Sequence, residues 1–224
     1  MTRLELLQNK LPTHPGIQSK ADYINTAVLI LLIFMDGEYH FVFQKRGPHI
    51  RQSGEICFPG GIYRPEDGTQ EQTAIRETVE ELGIPREKIK IIGALDTMLA
   101  PMGATVDAFV GVANIKSLDE ISLNKDEVEL AFTVPVSFFE NCQPQKYEVI
   151  IKVHPTVLDE RTGKEIVLFP ARELGLPDRY AKPWGGMKHT IYVYKVKQGI
   201  IWGITSRFIV DLVKKLKNDA FCAK

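Results

Sequence analysis

Gly60-Gly61-Ile62-Tyr63-Arg64-Pro65-Glu66-Asp67-Gly68-Thr69-Gln70-Glu71-Gln72-Thr73-Ala74-Ile75-Arg76-Glu77-Thr78-Val79-Glu80-Glu81-Leu82-Gly83-Ile84 divides into a glycine-led loop and a helix. Thr69, three residues before Gln72, has the form of a capping box. Gly83 stands where a C-terminal cap glycine belongs, and Pro85 forbids continuation. Ile75, Val79 and Leu82 recur at helical spacing and predict one apolar stripe. Glu77, Glu80 and Glu81, at i, i+3 and i+4, place three carboxylates together on the opposite face.

A helix does not favour that grouping. Each like-charge pair costs about 0.2–0.5 kcal/mol, and anions near a helix C-terminus oppose its dipole. Arg76, four residues before Glu80, offsets part of the repulsion. A divalent cation would offset the rest, because converging hard oxygens suit Mg2+ or Mn2+. The bland alternative is a solvated acidic face. Pro59-Gly60-Gly61 favours the metal reading, since a loop that permits close backbone approach can close round the same point.

Gly61 to Ile84 resembles the Nudix box, a Gly, a loop, then Arg-Glu-aliphatic-x-Glu-Glu-x-Gly-aliphatic. Arg76, Glu77, Glu80, Glu81, Gly83 and Ile84 match it position by position. Thr78 stands where an aliphatic residue is usual, and the loop is one residue longer than the general pattern. Gly68 therefore falls where a loop Glu is expected, with Asp67 and Glu66 as neighbouring stand-ins. The resemblance implies an α/β fold, a Nudix-type α/β/α sandwich with a mixed sheet, and the hydrolysis of a diphosphate attached to a nucleoside. It implies Glu77, Glu80 and Glu81 as ligands for Mg2+ or Mn2+, with Arg76 orienting them.

Upstream, Lys45-Arg46-Gly47-Pro48-His49-Ile50-Arg51 gathers three cations and a histidine. Lys45, Arg46 and Arg51 read either as an anion-binding rim, with Gly60 and Gly61 at its end, or as a solvated basic loop. The run Arg46 to Gly61, ending Ser-Gly-Glu-Ile-Cys-Phe-Pro-Gly-Gly, resembles the segment that marks the coenzyme A pyrophosphatase branch of the Nudix family, where the longer box loop is also usual. Gly47 replaces that branch's Ser or Ala, and Arg51 to Gly54 is one residue short. This resemblance implies coenzyme A or an acyl derivative as substrate, cut to adenosine 3′,5′-bisphosphate and 4′-phosphopantetheine. Glu127-Val128 resembles the family's loop after the box, which makes Glu127 a candidate proton acceptor beside Glu81. The alternatives are another Nudix substrate, such as ADP-ribose, a dinucleotide or an oxidised nucleoside triphosphate, and a non-catalytic nucleotide sensor.

The 224 residues, 44% hydrophobic and 25% charged with zero formal net charge, bound the rest. They suit one globular domain and give no electrostatic argument for a nucleic acid or membrane partner. The expected partner is a small-molecule nucleotide substrate, and the family suggests a homodimer. Cys57, Cys142 and Cys222 lack metal spacing and read as reduced thiols in a cytoplasmic protein, with Cys57 a small core residue. No signal-peptide pattern opens the chain, and Ala27–Met35 is too short to span a bilayer.

Residues 1–23 read as a helix and linker, 24–218 as the Nudix domain with an insertion at about 143–187, and 219–224 as a tail. Ala27–Met35 and His40–Gln44 predict a hairpin, followed after the box by strands at 89–94 and 105–112 and one ending at Pro135. A loop is expected over 95–101, a short helix over 136–141, and a hairpin of 147–153 with 165–169. A structured loop should fill 170–187, then a strand over 189–196 and an apolar-striped helix to Lys217, with Trp202 in the core.

Overall fold

The computed structural model describes residues 2–14 and 16–219, so Cys222 and all but the first residue of the expected tail lie outside the described residues. In chain order the elements are α1 (Arg3–Lys10), β1 (Ile24–Met35), β2 (Glu38–Arg46), β3 (Ile56–Cys57), β4 (Gly60–Ile62), α2 (Gln70–Leu82), β5 (Ile89–Ala94), β6 (Met98–Ala100), β7 (Ala104–Ala113) and β8 (Val128–Pro135). There follow α3 (Val136–Asn141), β9 (Gln145–Val153), β10 (Thr156–Leu158), β11 (Glu165–Val167), β12 (Trp184–Val196), β13 (Gly199–Trp202) and α4 (Gly203–Asp219).

The apolar run of β1 lies at the centre of the main sheet because both its faces are buried. Leu29, Leu31 and Ile33 point into one core, with Ala74 and Leu82 of α2 and Ile84 beyond it. Ile30 and Leu32 point into the other, with Phe139 of α3 and Phe208, Ile209 and Val213 of α4. Each such fully buried side chain contributes about 1.5–3 kcal/mol. Helices thus cover both faces in an α/β/α arrangement.

The strands run β3-β2-β1-β7-β5, with β4 on β1, β6 on β7 and β8 on β2. β1 and β7 are parallel and the other pairs antiparallel, so the sheet is mixed. No helix among the described residues is long and apolar enough to cross a membrane.

Several local expectations change. The loop expected over 95–101 contains β6, which pairs with β7. The strand over 147–153 does not pair with 165–167. β11 closes a small hairpin with β10, while β9 pairs with β12, which runs from Trp184 and takes in the end of the expected 170–187 loop. β13, β12 and β9 form a second sheet. It is fastened to the body by Ser206 Oγ donating to Tyr192 O at 2.7 Å and by the Tyr194 ring, 5.0 Å edge-on from Phe139. Trp202 is 44% exposed, not core: it faces away from α4, while its neighbour Ile201 is fully buried. Strand alternation assigns those two opposite faces, and α4 covers only one.

Candidate active site

α2 is capped as its sequence suggests at Thr69, whose hydroxyl accepts from Gln72 N at 3.2 Å, and at Gly83, which is left-handed. The reciprocal half of the box is not made, because the Gln72 side-chain oxygen accepts from Arg86 Nη2 instead. The buried arc of the helix is Ala74, Thr78 and Leu82 together with Ile75, whereas Val79 is only half-buried. Thr78 tolerates the core because its hydroxyl donates to Ala74 O at 2.7 Å. This rotation changes the place of the carboxylates. Glu77 and Glu81 are buried at the edge of the packed arc and Glu80 is exposed, so the three do not share one solvated face.

What buries Glu77 and Glu81 is the glycine strand. β4 pairs antiparallel with β1, Val28 opposite Gly60 and Ala27 opposite Gly61. A Cβ at Gly60 would collide with Ala27 O, and one at Gly61 with the Glu77 carboxylate. Gly60 N donates to Glu81 Oε2 at 3.0 Å. Gly61→Ala is therefore expected to displace Glu77 and lower stability by about 1–3 kcal/mol, the usual cost of overpacking. Chemical denaturation measures it, and an unchanged midpoint would contradict the packing described.

Arg76 gathers the acidic groups. Its Nε and Nη2 donate to Asp67 Oδ1 and Oδ2 at 2.7 and 3.1 Å, and Nη1 lies 2.7 Å from Glu77 Oε1 and 2.9 Å from Glu80 Oε2. Asp67 also accepts from Thr73 Oγ1 and Arg64 N. The Arg76 guanidinium holds the Asp67 carboxyl well below the usual carboxylate range. Asp67 is thus committed to positioning Arg76, and Glu66 is exposed. Asp67→Ala should cost about 1.5–3 kcal/mol, the worth of charged hydrogen bonds at a partly buried site, read as a lowered urea midpoint.

Burial raises the pKa of Glu77, an effect that Arg76 opposes. It pushes Glu81 up to about 7, against hydrogen bonds from Gln44 and Gly60 N that favour its ionised form, with the Glu77 charge adding to the rise. Gln44 did not emerge from the sequence reading. It is 1% exposed, its amide donates to Cys57 Sγ at 3.8 Å, and its Oε1 has no hydrogen-bond partner. The available signal was the period of β2, which sets Gln44 on the same face as Val42 of the core beneath α2, with Phe41 and Phe43 in the core on the other face. Cys57 is half-buried, as a small residue beside the core, and burial pushes its thiol up to about 11, so slow alkylation at pH 8 is expected.

The basic segment divides. Arg46 reaches this cluster: its positive charge favours the ionised forms of Glu81 and Cys57, while its Nε donates to Arg51 O at 2.9 Å. Lys45 Nζ is paired with Glu129 Oε1 at 2.7 Å. Arg51 is an exposed loop residue whose backbone, not its side chain, holds Arg46. Glu127 is brought alongside by its carbonyl, which accepts from Gly47 N at 2.8 Å. The loop before Glu127 is tied to α2 by Ser122 N and Asn124 N donating to Leu82 O and Glu81 O, each at 3.0 Å.

Among the described residues, no three His, Cys, Asp or Glu side chains already converge as a metal-ligand group. Arg76 sits between Glu77 and Glu80. The donor chemistry nonetheless fits a hard divalent cation: three carboxylates on adjacent turns, two of them buried with raised pKa values that a cation would lower again.

A family model described as "NUDIX domain" matches residues 24–147. Nudix hydrolase 3 of Caenorhabditis elegans is 38% identical over 128 residues, covering 55% of this chain and 52% of that protein. A peroxisomal coenzyme A diphosphatase of Mus musculus is 32% identical over 122 residues, covering 54% and 50%. The chain thus spans about half the length of these two relatives. An uncharacterised Nudix hydrolase, NudL, of Photorhabdus laumondii is 25% identical over 213 residues, covering 94% of each chain.

Proposed function

The chain belongs to the Nudix family, and from that premise we propose that it is a metal-dependent hydrolase of nucleoside diphosphate derivatives whose substrate is coenzyme A or an acyl-CoA. The products would be adenosine 3′,5′-bisphosphate and 4′-phosphopantetheine or its acyl form. The observation that carries the reading is Arg46, a cation from the 46–61 segment, whose guanidinium is held by Arg51 O at 2.9 Å while its charge acts on Glu81 and Cys57. The coenzyme A diphosphatase named among the relatives supports the same substrate.

In this reading Glu77, Glu80 and Glu81 hold one or more Mg2+ or Mn2+, which supply charge neutralisation for the diphosphate and Lewis acidity for the attack of water. Arg46 contacts phosphate oxygens with the guanidinium nitrogens that Arg51 O does not occupy, and Lys45 adds charge from the rim once it parts from Glu129. Arg76, fixed by Asp67, orients Glu77 and Glu80. Glu81, whose pKa lies near neutrality, and Glu127 are the candidate acceptors of the water's proton. Gly60 and Gly61 give the substrate a strand without side chains to approach.

The test is mass-spectrometric product analysis after incubation with Mg2+ or Mn2+ and coenzyme A, ADP-ribose, NADH or oxidised dGTP. Preferential release of phosphopantetheine from coenzyme A is expected. Preferential cleavage of another compound would discard the substrate and keep the chemistry, and metal-independent or absent turnover across the panel would count against the enzyme reading.

A further inference from the structure

β9 is the end strand of the second sheet. Among the described residues it pairs with β12 on one side only, and its row of backbone N–H and C=O groups on the other side meets no strand. Eight of its nine residues are exposed and Ile151 is half-buried, so neither face is covered. Tyr147, Val149 and Val153 continue on one face into Met187, and Ile150 stands on the other at 63% exposure. Monomeric proteins seldom leave a long apolar edge of this kind open, because it is a template for pairing.

We propose that β9 pairs antiparallel with β9 of a second copy of this chain, about a two-fold axis through Ile150, joining two three-stranded sheets into one of six strands. The charges select the occupant, and together with the length of strand paired they select the register. Centred on Ile150, the pairing sets Glu148 opposite Lys152 of the other copy, twice by symmetry. Tyr147 then lies opposite Val153, Val149 opposite Ile151, and Ile150 opposite itself. Centring on Val149 sets Lys146 against Lys152, and centring on Glu148 sets that carboxylate against itself; centring on Tyr147 also opposes Lys146 and Glu148, but pairs only the five residues 145–149 of β9 against seven in the Ile150 register. Centring on Ile151 leaves Lys152 over Ile150. Lysines commonly guard a free edge against pairing, but here one of them finds an anion in the self-complementary register. Glu148 already meets Lys188 at 2.9 Å, yet both side chains are more than half exposed, which leaves a carboxylate oxygen for a second cation. The strand lies outside the cluster round α2, so the pairing does not depend on the proposed activity.

A charge-swap experiment on the full chain tests this. Sedimentation velocity should show a dimer for the parent protein. Lys152→Glu alone gives Glu opposite Glu, Glu148→Lys alone gives Lys opposite Lys, and each should weaken self-association at least tenfold at low salt. Mixed one to one, the two variants restore both opposite-charge pairs and should form a heterodimer; this recovery also shows that each variant is folded. Ile150→Cys should be joined into a covalent dimer by a short bis-maleimide, whereas Tyr147→Cys, about 20 Å from its symmetry mate at strand spacing, should not exceed the parent's background. A monomeric parent at 100 µM or so, a dimer indifferent to both single variants, or a mixture that stays monomeric would overturn the proposal.

Discussion

Glu80→Gln is expected to lower kcat for diphosphate hydrolysis by about a thousandfold while leaving the fold and its thermal midpoint nearly unchanged. The Glu80 side chain is 45% exposed and meets Arg76 at 2.9 Å. A pair so open to water contributes at most about 1 kcal/mol, and the Gln oxygen can still accept from Arg76. The midpoint should therefore move by no more than a few degrees, on the order of 2–4 °C per kcal/mol for a chain of this size. Removing one full charge from the proposed cation-binding set is a different matter. A loss of about 4 kcal/mol in transition-state stabilisation corresponds to about three orders of magnitude in rate. Steady-state kinetics with Mg2+ held in excess, beside a thermal melt, separates the two effects. Full activity in the variant would remove Glu80 from the metal set, and an unfolded variant would contradict the exposed position described.

The helix carrying these groups was legible because its signals are local: Thr69 before it, Gly83 and Pro85 after it, and charge at fixed spacing between. The central strand was legible for a similar reason, since an unbroken run from Ala27 to Ile33 has to be covered on two sides. What the spacing could not give was the rotation of α2. A helical wheel places Val79 in the apolar stripe, but the close approach of Gly60 and Gly61 draws Glu77 and Glu81 into the packed arc and leaves Val79 half out. That contact joins residues more than fifteen apart, and no local pattern encodes it. Gln44 escaped notice for the complementary reason: a polar residue at an inward position of a strand acquires meaning only from the carboxylate opposite. The partner of β9 was likewise a choice between two compatible strands, and the nearer one in sequence was not the one used.

Glu81→Gln should separate stability from activity in opposite directions, and its pH dependence follows from the burial of the carboxyl. The folded-state pKa of Glu81 is pushed up to about 7 from an ordinary 4.5. Below the ordinary value both folded and unfolded chains carry the proton, and the carboxyl adds no pH-dependent penalty. As pH rises from there to about 7, the unfolded chain ionises first while the folded one retains its proton. Stability therefore falls through that window and levels off above it. A shift of this size corresponds to about 3 kcal/mol of metal-free stability lost by pH 8. The amide has no such charge to bury and can still accept from Gly60 N, so the metal-free variant should be more stable than the parent at pH 8 and nearly equal to it at pH 4.5. Mg2+ should reverse the order at pH 8, because only the parent has the full anionic set for a cation to neutralise. Hydrolysis by the variant should meanwhile fall at least a hundredfold, since the same substitution removes a proposed ligand and a candidate proton acceptor at once. Urea denaturation at the two pH values, with EDTA or with Mg2+, reads every arm. A variant less stable than the parent in EDTA at pH 8 would show that the Glu81 charge is already compensated inside the protein, and that a cation is not what its burial awaits.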